Sequence, residues 1–144
     1  MAREVKPVPE GYHTVTPYLV VHDVDGLIDF LKQVFGAQEK ERLSRPDGNV
    51  MHAEVRIGDS LVMIGGAVDE SGNVTGMLHL FLEDADTTYQ RALSAGATSL
   101  REPQDEFYGD RIAGVLDAFG NQWWMATHIE DVSPEEMQRR ALLR

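Results

Sequence analysis

Cysteine is absent from the 144-residue chain, which excludes disulfides, thiol nucleophiles and thiolate metal sites. Also absent is any apolar run approaching the roughly 20 residues of a membrane-spanning helix. The opening Met1-Ala-Arg-Glu-Val-Lys6 lacks the apolar stretch of a secretory signal. These absences lead to the expectation of a cytoplasmic protein with no membrane partner. Basic residues are few, 13 Lys and Arg against 24 Asp and Glu, for a formal net charge of -11. A field of that sign repels phosphate backbones and anionic lipid, so no nucleic-acid partner is expected. It attracts cationic ligands, although its plainest consequence is solubility. There is no Gly-rich phosphate loop and no Gly-x-Ser-x-Gly elbow, which leaves nucleotide-dependent and serine-hydrolase chemistry without support.

What is present is ordinary for a globular chain, 42% hydrophobic and 26% charged, with length enough for one domain and a real core. Pro7, Pro9 and Gly11 mark residues 1–13 as an extended lead-in. Val15–Val21 alternates and is β-branched, the pattern of a strand, and Pro17 suggests an edge strand or a strand start. Asp23 is placed to cap a helix carrying Leu27, Ile28, Phe30, Leu31, Val34 and Phe35 at helical spacing, with Gly36 as its left-handed stop. Strands are predicted at Ala37–Leu43, Val50–Ile57 and Leu61–Ile64, with turns at Pro46–Asn49 and Gly58-Asp59.

The same plan then recurs. Leu78–Leu82 reads as a strand, Asp84 as a cap, and Ala85, Tyr89, Ala92 and Leu93 as a helical stripe ended by Gly96. Strands follow near Thr98–Arg101, Arg111–Asp117 and Gln122–Thr127. Asp23 to Gly36 spans 13 residues and Asp84 to Gly96 spans 12, while Gly58 and Gly120 lie a further 22 and 24 residues on. An α+β fold of two βαβββ modules is the simplest reading. The expected organisation is a single domain over 1–144. Module one covers about 14–65, a flexible linker about 66–75, module two about 76–129, and a C-terminal helix about 133–143. Ser133-Pro-Glu-Glu136 supplies that helix with a Ser cap and a first-turn proline.

Several stretches together resemble one known superfamily. They are Thr16-Pro-Tyr-Leu-Val-Val-His-Asp23 running to Phe35-Gly-Ala37, His52-Ala-Glu-Val-Arg-Ile-Gly-Asp-Ser-Leu-Val-Met63, Phe107-Tyr-Gly-Asp-Arg111, Asp117-Ala-Phe-Gly-Asn-Gln-Trp123 and Ala126-Thr-His128. In this order the chain resembles the vicinal oxygen chelate superfamily (glyoxalase, bleomycin resistance protein and dioxygenase), and within it the PhnB-like branch. The resemblance implies modules that curl into half-open cups and a homodimer. It also implies a function drawn from lyases, isomerases, ring-cleaving dioxygenases, fosfomycin-directed transferases or metal-free drug-sequestering proteins.

The resemblance also implies where a metal would sit, on the first and last strands of each module. Those corners fall at Thr16, within Leu61–Gly65, at Met77 and near Trp124, and a slip of two residues reaches only Tyr18, His79, Gln122 or Ala126. A catalytic divalent metal needs about three hard or imidazole ligands, so the inherited site is expected to be missing and no cofactor is expected. A displaced site for zinc or iron is the alternative. His52 and Glu54 project from one face of a strand, and His79 points the way the family ligand would. Set against it, His52 and Glu54 read as a solvated face beside Arg56, with Met51, Ala53, Val55 and Ile57 buried behind. His13, His22 and His128 read as surface histidines.

Without a metal, the cavity lining carries the functional reading. Tyr18, Phe81 and Trp124 are the candidate ligand-binding aromatics, joined by Tyr108 and Arg111 on a loop expected at the cavity mouth. The same aromatics also suit a core, and an Asp110–Arg111 ion pair pinning the loop is the structural alternative. The function expected first is metal-independent binding of a small molecule, as in drug or metabolite sequestration. A metal-dependent enzyme using His52, Glu54 and His79, and a dimeric scaffold with a vestigial pocket, are the other readings.

Overall fold

A computed structural model describes residues 4–143. They divide into two compact units, one ending at Thr75 and the next opening at Gly76. In the first, β1 (Tyr18–Val21) leads into α1 (Val24–Phe35), followed by β2 (Gln38–Ser44), β3 (Val50–Ile57) and β4 (Ser60–Gly66). The sheet order is β1-β4-β3-β2, with β1 parallel to β4 and the other pairs antiparallel. The strand before α1 begins only at Tyr18 because Pro17 cannot donate to the ladder, though its carbonyl still accepts from Met63 N at 2.9 Å. Asp23 caps α1 through Gly26 N at 2.9 Å, and Gly36, at φ 65°, closes it. Val24, Leu27, Ile28, Leu31 and Val34 then bury one face of α1 against Ala53, Val55, Val62 and Ile64 of the sheet.

The second unit repeats the plan with β5 (Met77–Phe81), α2 (Ala85–Ser94), β6 (Thr98–Asp105), β7 (Asp110–Leu116) and β8 (Gln122–His128), in the order β5-β8-β7-β6. Asp84 caps α2 through Thr87 N at 3.0 Å. Helix α3 (Pro134–Leu142) follows, capped by Ser133. The fold is therefore the expected α+β arrangement of two four-stranded mixed sheets with a C-terminal helix.

Three local features differ from the sequence reading. β6 runs on to Asp105 through Pro103, which an edge strand tolerates. Residues 67–75 hold a short 3-10 turn at Glu70–Gly72 and are tied back to β1, by a Val20–Val74 bridge and by Asn73 Oδ1, which accepts from His22 N at 2.8 Å. Ala53, Val55 and Ile57 are buried as expected, but Met51 is 45% exposed and Glu54, expected on the solvated face, is 5% exposed. Met51 stands beside the β2–β3 turn, whereas residues 7–16 fold over the Glu54 side of β3. Among the described residues no helix is long and apolar enough to cross a membrane.

Candidate functional site

In the first unit, the sheet face opposite α1 carries the chemistry. Tyr18 on β1, Met63 on β4 and Glu54 on β3 are register partners across adjacent strands, and the row continues to Glu41 on β2. The Tyr18 ring lies over Gly65, where a Cβ would come within 2.9 Å of Tyr18 Cε1. Its hydroxyl reaches His52 Nδ1 at 3.3 Å. His52 Nε2 stands 3.7 Å from Glu54 Oε2. An open cleft of about 550 Å³ adjoins this row, lined by Pro7, Val8, Pro9, Tyr12, Met63 and Glu54, with His13, Thr14 and Thr16 supplying polar edges. Glu54 Oε1 is buried and has no hydrogen-bond partner among the described residues.

The cleft exists because residues 7–16 do not simply trail into β1. Tyr12 N bonds Pro9 O at 3.1 Å to close a turn, and Gly11, at φ 86°, brings the backbone to Arg56 and Leu61. The sequence reading took this stretch as an extended lead-in and missed its role as a wall. The available signal was Val8 and Tyr12, apolar side chains amid prolines in a segment otherwise written for solvent.

The second unit has a comparable helix-free face. His79 on β5, Trp124 on β8 and Gly114 on β7 are aligned, and a Cβ at Gly114 would meet the Trp124 ring at 2.6 Å. Trp124 Nε1 donates to Gln122 Oε1 at 3.1 Å. Phe81, 67% exposed, meets His79 edge-on at 5.1 Å.

Arg111 lies elsewhere. The alternation of β7 turns it toward α2, opposite Trp124, where Nε and Nη2 bond Asp86 at 2.8 and 3.1 Å and Nη1 bonds Asp105 at 2.9 Å. These carboxylates hold the guanidinium's affinity for its proton well above the ordinary value. The expected Asp110–Arg111 pair does not form. Asp110 instead binds His128 Nδ1 at 2.7 Å, while Nε2 of the same ring meets Asp131 at 2.7 Å. Both acids raise the imidazole's pKa, Asp110 first. Tyr108, part-buried, packs edge-on against Phe107 at 5.2 Å. Their turn is pinned by Arg140 of α3, which donates to Phe107 O at 3.0 Å and to Glu130 at 2.8 and 3.0 Å.

The metal corners do not suit a divalent ion. Met63, Met77 and Trp124 offer thioethers and an indole, and the Thr16 hydroxyl donates to His13 O at 3.2 Å. Nor do the displaced candidates: His52 is engaged with Tyr18 and Glu54, and His79 packs on Phe81. Among the described residues no group of three or more His, Cys, Asp or Glu is gathered as a metal would require.

Comparison with known proteins identifies the family and the fold. The family model of the Glyoxalase/Bleomycin resistance protein/Dioxygenase superfamily matches residues 12–125. The uncharacterized protein Mb0911c of Mycobacterium bovis is 34% identical over 149 aligned positions, covering 96% of this chain and 94% of the relative. Among solved structures, TioX from Micromonospora sp. ML1 superimposes with a TM-score of 0.69 at 25% identity, over 81% of this chain and 99% of TioX. The fosfomycin resistance protein FosX from Listeria monocytogenes shares the fold alone, with a TM-score of 0.61 at 17% identity, over 87% and 97% of the two chains.

Proposed function

The chain belongs to the Glyoxalase/Bleomycin resistance protein/Dioxygenase superfamily, and we propose that within it this protein binds a small molecule without a metal and sequesters it rather than transforming it. The observation that carries this reading is the first unit's cleft of about 550 Å³, whose wall presents Met63 on the strand where a family ligand would stand. Small-molecule sites are concave, largely apolar and furnished with few polar groups. Pro7, Val8, Pro9, Tyr12 and Met63 supply apolar walls, and Glu54 with Thr16 and His13 supplies the polar points. Tyr18, Phe81 and Trp124 add aromatic surface on the helix-free faces of their own units, and Tyr108 adds a phenol on a pinned turn. Arg111 supports its sheet from behind rather than meeting the ligand. We place the protein in the PhnB-like branch on its Phe107–Arg111 and Asp117–Trp123 stretches, as a cytoplasmic homodimer.

The test is metal analysis of untagged protein purified without chelators, followed by a thermal-shift screen of small molecules with and without EDTA. The expected result is negligible metal and ligand-induced stabilisation that EDTA leaves unchanged. Near-stoichiometric zinc, iron, nickel or manganese, lost in His52→Ala, would replace this reading with a metal-dependent lyase, isomerase or dioxygenase.

A further inference from the structure

Among the described residues, the buried carboxylates are, with one exception, hydrogen-bonded. Asp117 accepts from Phe119 N, Asn121 N, Asn121 Nδ2 and Trp123 Nε1 at 2.7–3.1 Å. Asp110 has His128, and Glu106 has Arg101. Glu54 is buried as deeply as Asp117, yet its Oε1 has no partner among the described residues. Leaving a buried acceptor unmade is costly. Here that cost falls on a residue lining an apolar-walled cleft.

The surroundings of Glu54 specify what would satisfy it. Its cross-strand neighbour on β2 is Glu41, a second acid. Arg56, two residues along the same face, lays its guanidinium against Gly11 instead. His52 Nε2 stands 3.7 Å from Glu54 Oε2, not Oε1, and the same ring is also held by the Tyr18 hydroxyl. His13, which lines the cleft, is solvent-exposed. Glu54 therefore lines a space with apolar walls, brings to it a carboxylate with one oxygen unpartnered among the described residues, and has a second acid beside it on β2, a combination that favours a donor carrying positive charge.

We propose that this cleft selects an organic cation, an ammonium or amidinium attached to a ring or compact apolar body, with the N–H group bonded to the Glu54 carboxylate and the body against Tyr12, Pro7 and Met63. The proposal rests on the small-molecule reading above and names the ligand class for that site. Glu54 is the specificity-determining contact, and the apolar walls set affinity for the body of the ligand.

Benzamidine, benzamide and benzoate form a matched set of cationic, neutral and anionic probes. Each is titrated into the full chain while the Met63 methyl resonance is followed, with wild type and Glu54→Gln compared. In wild type, benzamidine is expected to bind at least about tenfold tighter than benzamide, with benzoate weakest. In Glu54→Gln the two should bind alike, with benzamide affinity unchanged. Glu54→Gln is isosteric, and its melting temperature at or above wild type's verifies the fold. A cation preference that survives Glu54→Gln overturns the proposal. Equal binding of benzamidine and benzamide to wild type overturns it while leaving the metal-free pocket standing. If no probe moves Met63 and no screened compound stabilises the protein, both readings fall.

Discussion

Asp117 and Glu54 are 4% and 5% exposed, and their surroundings give opposite consequences for substitution. Asp117 organises the β7–β8 turn and anchors the fully buried Trp123 indole. Asp117→Ala strands those donors, so a loss of about 3 kcal/mol is expected in urea titration. Glu54→Gln alters a carboxylate whose Oε1 no described residue hydrogen-bonds. It should be neutral or stabilising by about 1 kcal/mol, as substitutions that relieve functional strain are. A loss above about 1 kcal/mol would show that Glu54 is structural. Gly114 gives a third contrast. A Cβ there would sit 2.6 Å from the Trp124 ring, so Gly114→Ala should displace that ring and shift its fluorescence while Trp123 stays buried. The sequence made Trp124 and His52 visible as residue types, and strand period put Glu54 on their kind of face. It could not show that Glu54 is covered, because the cover comes from residues 7–16, which have no periodicity to read.

Element by element, the punctuation was the legible part. Asp23, Asp84 and Ser133 cap the helices they precede, and Gly36 closes α1, because caps act through backbone groups one turn away and need no tertiary knowledge. Arg111 was not legible. Its direction depends on which face α2 covers, and its partners Asp86 and Asp105 lie on two other elements. The end of β8 was likewise hidden, since the acids flanking His128 come from the start of β7 and from beyond the strand. That cluster makes a pH-dependent clasp. With its pKa raised above the ordinary 6.5 by Asp110 and Asp131, His128 contributes fully below about pH 6, and its contribution fades as pH climbs through the raised value. Amide exchange at Ile129 and Glu130, whose N–H groups bond Gly109 O at 2.8 and 3.1 Å, should therefore quicken as pH climbs above the ordinary 6.5 and through the raised value, beyond the intrinsic base-catalysed rise. His128→Gln should show only that intrinsic rise. An imidazole titrating at or below 6.5 in wild type would remove the basis for the clasp.

At the scale of the whole molecule, two sources of cation preference must be separated, the net charge of -11 and the single carboxylate in the cleft. Both favour benzamidine over benzoate, but salt acts on them differently. At physiological ionic strength the Debye length is about 8 Å, so charges spread over the surface are largely screened from a bound ligand, while a direct contact in a part-buried site is screened far less. Raising salt from about 20 to 500 mM should therefore weaken benzamidine binding only about two- to threefold. The Glu54→Gln loss should exceed that and persist at high salt. Were salt alone to erase the preference for benzamidine over benzamide, the diffuse acidic field would be the selector and the cleft a neutral container. The geometry argues for the opposite order. Diffuse charge raises the local concentration of every cation alike, whereas a single carboxylate in the wall of an apolar cleft distinguishes ligands by whether they bring a donor to that one point.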